Sequence, residues 1–207
     1  MTHVYGAHME RTNGCGSCDL PVNQPQVVVS RGNPHASLML IGEAPGARED
    51  ELGKPFVGRS GQLIDRLMES VGLDPQTDAY ICNVVKCRPP KNRRPTLVEI
   101  ASCRPWLQQQ IELVDPCVIA LAGSTAVEAI LGIKGGITRL RGQWQHWQGR
   151  LLMPLLHPAY LLRNPSPVDG APVALTRGDL LEVRQRLIQV NRNAVVPMLD
   201  SSRRRLP

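Results

Sequence analysis

The sequence predicts an α/β fold, and two patterns along the chain support that prediction. Short apolar runs of strand length alternate with longer stretches in which apolar residues recur at helical spacing. The chain has 207 residues, of which 42% are hydrophobic, so it can bury a substantial core. We therefore expect a single domain over residues 1–207, with its core at about 15–190 and a basic tail at 191–207.

The apolar runs and the capping signals place the main elements. Four strands are predicted at residues 37–43, 78–85, 116–123 and 150–158. Helices are predicted to begin at about Gly61, at Thr96, at Thr125 and at Thr176. The last three starts each have Glu or Asp three residues after the Thr, which is the spacing of a capping box.

Three further segments depend on glycine and proline. Pro105 should kink or break the helix that begins at Thr96. The glycine-rich residues 132–150 predict a loop or a hairpin. Residues 157–165, HPAYLLRNP, read as a turn after the fourth strand.

The charge and the N-terminus limit the classes of function. The formal net charge is +6, from 24 Lys and Arg against 18 Asp and Glu. This excess suits a polyanionic partner such as nucleic acid, and solvated surface explains it equally well. The N-terminus lacks the apolar core of a signal peptide, and no apolar run approaches the ~20 residues that span a bilayer. We expect a cytoplasmic monomer without a membrane partner.

Unusual residues follow the predicted strands. GEAPG begins at Gly42, Asn83 ends the second strand, Gly123 follows the third and His157 follows the fourth. The carboxyl ends of parallel strands share one edge of a sheet, where ligands bind. Phe56, the only phenylalanine, lies in the loop after GEAPG. From spacing alone, Phe56 reads as a core residue, Asn83 as a turn former and His157 as structural.

Four of the six cysteines could hold a metal. Cys15 and Cys18 form a CxxC pair, and Cys87 and Cys103 are more widely separated. In a cytosolic chain, four thiolates suit a tetrahedral zinc ion or a [4Fe–4S] cluster, although they could also be unconnected. The wide second pair fits a zinc knuckle poorly. Cys82 and Cys117, in apolar runs, read as small core residues.

Several motifs, in order from about residue 15 to 163, resemble those of one family. They are both cysteine pairs, GEAPGARED, GKPFVGRSG, NVVKCRPPKNRRP and HPAYLLR. Together they resemble the family 4, iron–sulfur uracil-DNA glycosylases. The resemblance implies a three-layer αβα sandwich around a four-stranded, mostly parallel sheet. It also implies a [4Fe–4S] cluster on Cys15, Cys18, Cys87 and Cys103, and uracil-containing DNA as the partner.

The resemblance implies roles for the pocket residues in hydrolysis of the N-glycosidic bond of uracil, which leaves an abasic site. Phe56 would stack on the flipped base, recovering ~1–3 kcal/mol of stacking. The Asn83 amide would read the O4 and N3–H edge of uracil and reject cytosine. His157 would donate to O2 of the departing base. Backbone amides of the GEAPG loop, including those of Gly42 and Ala44, could bind the base or a phosphate.

Two carboxylates are candidates for assisting the sugar chemistry. Glu49 is the first choice for positioning water, and Glu43 the second, as a contributor or as an anchor for its loop. Asp50 and Glu51 read as solvated loop charges. GEAPG is not a dinucleotide fingerprint, so we expect no nucleotide cofactor.

Other residues are candidates for contact with DNA. Leu161 could wedge into the space left by the flipped base, Arg163 could bind phosphate, and Ser124 lies at a helix start that favours phosphate. The basic loop is expected to contact the DNA backbone through Lys86, Arg88, Lys91, Arg93 and Arg94.

Three alternatives to a simple glycosylase follow from the same residues. One branch of the superfamily traps DNA through a histidine in an extra basic loop, and the loop here contains no histidine. A non-catalytic iron–sulfur module would show a defective pocket, whereas the expected pocket residues are all present: Glu49, Phe56, Asn83 and His157. A zinc-bound adaptor would lack the absorbance near 400 nm of an iron–sulfur protein.

Overall fold

The computed structural model describes residue 18, residue 20 and residues 27–202, with side chains as far as residue 190. Within these residues one sheet contains six strands. They are β1 (Arg31–Gly32), β2 (Leu38–Gly42), β3 (Ala79–Asn83), β4 (Val118–Ala122), β5 (Gln145–Trp147) and β6 (Arg150–Leu155). The predicted α/β class is confirmed. The predicted count of four strands is wrong, because the sheet also has two edge strands of two and three residues.

The strand order is β1-β3-β2-β4-β6-β5. The four central strands are parallel, and β1 and β5 pair with their neighbours in the antiparallel sense. Every residue of β2, β3 and β4 is buried. Strands covered on both faces read as continuous apolar runs rather than alternating ones. This is why the sequence showed the central strands clearly and missed the short edges.

Besides a short 3-10 helix at Pro90–Asn92, seven α-helices surround the sheet within the described residues. They are α1 (Ala47–Leu52), α2 (Arg59–Ser70), α3 (Leu97–Val114), α4 (Ser124–Leu131), α5 (Ile137–Leu140), α6 (Pro158–Arg163) and α7 (Pro172–Ser202). Alternate residues of β2 belong to two separate apolar clusters: Leu40 packs with Ile64 of α2, and Ile41 packs with Ile111 of α3. Helices therefore cover both faces of the sheet.

Helix α3 begins as its sequence predicts. The Thr96 side chain accepts a hydrogen bond from the Glu99 N–H (3.2 Å), and the Glu99 carboxylate accepts one from the Thr96 N–H (2.7 Å). The helix continues through Pro105 to Val114 without a break. The capping prediction is confirmed, and a break at Pro105 is wrong.

Two other predicted helix starts are wrong. The N-cap of α4 is Gly123 rather than Thr125. Helix α7 begins at Pro172, and the Thr176 hydroxyl donates to the Pro172 carbonyl inside the helix (2.9 Å). In both cases the residue three positions after the Thr has another partner, because Glu128 pairs with Arg94 and Asp179 with Arg141.

Two segments contain more helix than predicted. Residues 158–163, read as a turn, form helix α6, with His157 as N-cap and a proline in the first turn, where its missing N–H costs nothing. The glycine-rich segment contains α5, which was not predicted, and the β5–β6 hairpin, which confirms the hairpin alternative.

Two cysteines and the C-terminal segment remain to be compared with their predictions. Cys82 is fully buried, as expected, whereas Cys117 is exposed because it precedes β4 rather than lying in it. Helix α7 runs to Ser202, past the tail boundary expected at residue 190, and residues 203–207 lie outside the described residues. No described helix has the length and apolar character needed to cross a bilayer.

Candidate active site

The carboxyl ends of the central strands bring the predicted site residues to one edge of the sheet. Gly42 of β2 pairs with Asn83 of β3, and Ala122 of β4 pairs with Leu155 of β6. The Gly123 N–H donates to the Leu155 carbonyl (2.9 Å), and His157 follows two residues later. The site therefore follows the strand order β3, β2, β4, β6.

Gly42, Phe56 and Asn83 are in direct contact. A Cβ placed on Gly42 would collide with the Phe56 ring and lie 2.5 Å from Asn83 Oδ1. Phe56 and Asn83 are 8% and 2% exposed. The absence of a side chain at Gly42 thus lets an aromatic ring and an amide approach the same point of the backbone. Phe56 also belongs to the apolar cluster around α2, so its core interpretation is confirmed, and its contact with a base stays a prediction.

His157 has a defined tautomer when it is neutral. Its Nδ1 accepts a hydrogen bond from the Ala159 N–H at the start of α6 (3.2 Å). A neutral imidazole whose Nδ1 accepts must carry its proton on Nε2. Burial lowers the pKa of His157 below 6.5, the nearby Arg163 lowers it further and Glu43 opposes the shift. The ring is therefore a neutral donor through Nε2.

Glu43 lies beside His157, and the Thr125 side chain holds its carboxylate in place. The Thr125 hydroxyl donates to Glu43 Oε2 at 2.5 Å. Thr125 is fully buried in the first turn of α4. Its sequence signal suggested a capping role, whereas its hydroxyl instead fixes the carboxylate that follows β2.

Both carboxylate oxygens of Glu49 accept hydrogen bonds from backbone N–H groups. Its Oε1 accepts from the N–H groups of Val57 (2.9 Å) and Gly58 (2.7 Å), and its Oε2 accepts from the Gly46 N–H (3.2 Å). These bonds join the two ends of the loop that carries Phe56. Glu49 therefore holds the loop in place, and its role in positioning water stays a prediction, as does the role of Glu43.

Lys86 is not part of the DNA-facing basic loop. It is 1% exposed, and its ammonium donates to the Asn83 backbone carbonyl (2.5 Å). Burial lowers the pKa of Lys86. The expectation that Lys86 contacts DNA is wrong, because its side chain turns back beneath the end of β3.

Three of the other four cations of the basic loop have acidic partners. Arg93 pairs with Glu99 (2.6 Å), Arg94 with Glu128 (2.5 Å) and Arg88 with Asp50 (3.9 Å). Asp50 was expected to be a solvated charge. It is instead 7% exposed, and burial raises its pKa. Much of the loop's charge is thus used to hold the loop to its neighbours.

The segment after β6 corrects one DNA-binding prediction. Leu161 is fully buried in the apolar cluster around α2, so it cannot wedge into a duplex. On the six-residue helix α6, Tyr160 and Arg163 are exposed and Leu162 is half-buried. The prediction of Leu161 as the wedge is therefore wrong, while Arg163 is exposed, as a phosphate contact requires. Ser124, half-buried, is the first residue of α4.

The cysteines meet part of the requirement for a cluster. Cys87 and Cys103 are 3% and 4% exposed, Cys18 is half-buried, and Cys15 lies outside the described residues. Within the described part of the chain, no three His, Cys, Asp or Glu residues are grouped to hold a metal. The thiol donors suit iron–sulfur chemistry, since soft thiolates are the usual cluster ligands.

A cavity of about 400 Å³ lies at the opposite edge of the sheet. Its lining includes Ser37 and Asp78, which precede β2 and β3, together with Arg184 of α7. None of the predicted site residues lines this cavity.

Comparison with known proteins identifies the family. The family model described as the uracil DNA glycosylase superfamily matches residues 29–180. The chain belongs to this superfamily. It is 46% identical to a type-4 uracil-DNA glycosylase of Thermotoga maritima over 159 residues, which are 76% of this chain and 82% of that protein.

Two further superfamily members support the same subgroup. A type-4 uracil-DNA glycosylase of Saccharolobus solfataricus is 41% identical over 160 residues, covering 73% of this chain and 74% of its own. A type-4 uracil-DNA glycosylase of Sulfurisphaera tokodaii is 37% identical over 166 residues, which are 76% of this chain and 75% of that protein. The resemblance to family 4 uracil-DNA glycosylases predicted from the motifs is confirmed.

Proposed function

We propose that this protein is a monofunctional uracil-DNA glycosylase of base excision repair. It flips uracil out of DNA, hydrolyses the N-glycosidic bond and leaves an abasic site. The observation that supports this most strongly is the convergence of Phe56, Asn83, Glu43 and His157 at one sheet edge in a member of this superfamily. A cytoplasmic, monomeric protein of one domain remains our expectation from the sequence.

Asn83 and Phe56 select the base. The Asn83 amide donates to O4 and accepts from N3–H, a pairing that cytosine reverses, so cytosine would leave two buried polar groups unpaired. The Phe56 ring stacks on the flipped base and replaces ~1–3 kcal/mol of lost stacking. Backbone amides at Gly42 and Ala44 approach the base closely, because no side chain intervenes at Gly42.

His157 and Glu43 carry the bond cleavage. As the bond from N1 of uracil to the sugar carbon breaks, its electron pair moves onto the uracil ring. The Nε2–H of neutral His157 donates to O2 and stabilises that anion, a contribution of several kcal/mol in a water-poor site. Water then attacks the electron-poor sugar carbon, and the Glu43 carboxylate orients the water and takes its proton.

Helix α6 and the start of α4 hold the DNA. Leu162 or Tyr160 fills the gap left by the flipped base, Arg163 contacts a phosphate, and the free amides at Ser124 favour another. These contacts come from residues at the same sheet edge as the pocket.

We propose that Cys15, Cys18, Cys87 and Cys103 hold a [4Fe–4S] cluster. When bound, the cluster serves to organise the loops that contact DNA rather than to transfer electrons. The purified protein is expected to be brown, with an absorbance near 400 nm that Cys87→Ser or Cys103→Ser removes and Cys117→Ser retains. A colourless wild type that binds stoichiometric zinc would contradict the cluster.

Single-turnover cleavage tests the glycosylase. The protein is mixed in excess with an oligonucleotide containing one uracil, and alkali then cleaves any abasic site. Asn83→Ala is expected to lower the rate constant at least ~100-fold, because it removes a pairing made to the base. Asn33→Ala, a substitution in a turn at the opposite edge, should retain the wild-type rate.

An intact strand with the wild type, with DNA still bound, would contradict the proposal. It would place the protein among non-catalytic DNA-binding modules of the same fold. Equal cleavage by Asn83→Ala and wild type would leave the activity but overturn the role of Asn83.

A further inference from the structure

The loop that carries Phe56 is held from two sides by charged side chains. On one side, Glu49 accepts hydrogen bonds from the N–H groups of Val57 and Gly58. On the other side, Arg31 of β1 donates through Nε to the Pro55 carbonyl (2.8 Å) and through Nη2 to the Phe56 carbonyl (3.3 Å). Four consecutive residues of the loop are thus fixed by one anion and one cation.

Arg31 is itself fixed in place. Its Nη2 also contacts Asp65 Oδ1 of α2 (2.5 Å), and its side chain is only 8% exposed. One guanidinium therefore links the edge strand, the loop and the helix that follows the loop. Lysine could not reproduce these contacts, because a single ammonium lacks the rigid fork of donors.

The backbone of Phe56 requires such support. Its φ is +55°, in the left-handed region, which is unfavourable for a bulky residue. A Cβ on Gly61 would collide with the Phe56 carbonyl group, so the loop lies directly against the first turn of α2. The ring then points toward Gly42 at the end of β2. A strained conformation maintained beside a site indicates that the ring's direction matters.

We propose that Arg31 is a positioning residue for uracil binding, which sets the direction of the Phe56 ring through the Pro55 and Phe56 carbonyls. This inference rests on the proposed function for its consequence, because the ring must meet a base. Stacking is made both to the bound substrate and in the transition state. Weakening it therefore raises KM more than it lowers kcat.

Fluorine NMR tests the proposal, because Phe56 is the only phenylalanine. Protein labelled with 4-fluorophenylalanine gives one resonance, which reports the environment of this ring alone. The labelled proteins to compare are wild type, Arg31→Lys, Asp65→Asn and a control, Arg150→Lys. Arg150 is another arginine paired with an aspartate, at the start of β6.

Arg31→Lys is expected to shift or broaden the resonance of the ligand-free protein and to raise the KM for uracil-containing DNA roughly ten-fold, with kcat changed less than three-fold. Asp65→Asn, which preserves size, should change both in the same direction to a smaller extent. Arg150→Lys should match the wild type in both. A resonance and a KM unchanged in Arg31→Lys and Asp65→Asn would overturn the proposal.

Failure of the proposed function would look different. If free uracil left the wild-type resonance unchanged and no cleavage occurred, the assignment of the residues around Phe56 to uracil binding would be wrong. The ligand-free spectra would still show whether Arg31 directs the ring.

Discussion

Gly42 is the residue at which the pocket is most sensitive to a small change. Gly42→Ala would place a methyl group against the Phe56 ring and 2.5 Å from Asn83 Oδ1. We expect the single-turnover rate constant to fall at least ~100-fold while the protein remains folded, because ring and amide must both move. Cleavage kinetics and circular dichroism measure the two effects.

Gly178→Ala is the matched control for Gly42→Ala. Gly178 lies in α7 with open space where a Cβ would be. Alanine there should leave the rate unchanged and stabilise the helix by ~0.5–1 kcal/mol. Wild-type cleavage by Gly42→Ala would contradict the close contact at the end of β2.

Protonation of His157 makes the free energy of unfolding depend on pH below about 6.5. Because burial lowers its pKa in the folded protein, the folded state takes up its proton at a lower pH than the unfolded state. The contribution of His157 to the free energy of unfolding is therefore greatest above pH 6.5, and it decreases as the pH falls from 6.5 through the lowered pKa. Urea unfolding at several pH values measures it.

His157→Gln should remove this pH dependence, whereas His146→Gln, which changes an exposed histidine, should preserve it. An identical slope in wild type and His157→Gln would show that His157 has an ordinary pKa, and the inference that its ring is neutral would lose its support.

The location of the candidate residues at one sheet edge could be predicted, and their individual contacts could not. Asn83 and His157 follow strands, so the α/β pattern alone brought them together. The roles of Glu49 and Leu161 depend on which way each side chain points from a short helix. Arg31 gave no signal at all, because its partners lie 24 to 34 residues away.

At the scale of elements, the capping motif predicted a helix start only where the threonine hydroxyl accepts a hydrogen bond from the acidic residue's N–H. Thr96 accepts from Glu99, which caps the helix although it also pairs with Arg93, a pairing that lowers its pKa to about 2. The hydroxyls of Thr125 and Thr176 instead donate, to Glu43 and to a backbone carbonyl, so the same spacing does not mark a start there. The partner of Thr125 lies 82 residues away and is not visible in local sequence.

The cap of α3 has a measurable energy. Thr96→Ala is expected to lower the free energy of unfolding by ~1 kcal/mol, because it leaves the Glu99 N–H without its acceptor. Thr138→Ala, at an exposed position within α5, should change it by less than ~0.5 kcal/mol. Equal values from chemical denaturation would contradict the capping role.

At the scale of the whole molecule, the net charge of +6 favours DNA, although several loop arginines are already paired. Exposed Arg163 is expected to contact a phosphate. Arg163→Gln should therefore lower the slope of log affinity against log salt by about 1. Arg177→Gln, which removes a contact to Ser70 at the end of α2, should leave the slope unchanged. An unchanged slope in Arg163→Gln would contradict the phosphate contact.

The central strands and the family were predictable because the apolar runs and the order of the motifs can be read directly from the sequence. The parallel strands and the family could be inferred, whereas the two edge strands were too short to leave a pattern. The position of Cys15 relative to Cys87 and Cys103 lies outside the described residues. The cluster therefore depends on the motif and on experiment.

The structure of the protein with free uracil bound tests the central claim most directly. The account predicts uracil at the carboxyl edge of the central strands, with the Phe56 ring stacked on it, the Asn83 amide on O4 and N3, and His157 Nε2 at hydrogen-bond distance from O2. Uracil bound instead in the cavity beside Arg184 at the opposite edge, with the residues around Gly42 empty, would contradict it.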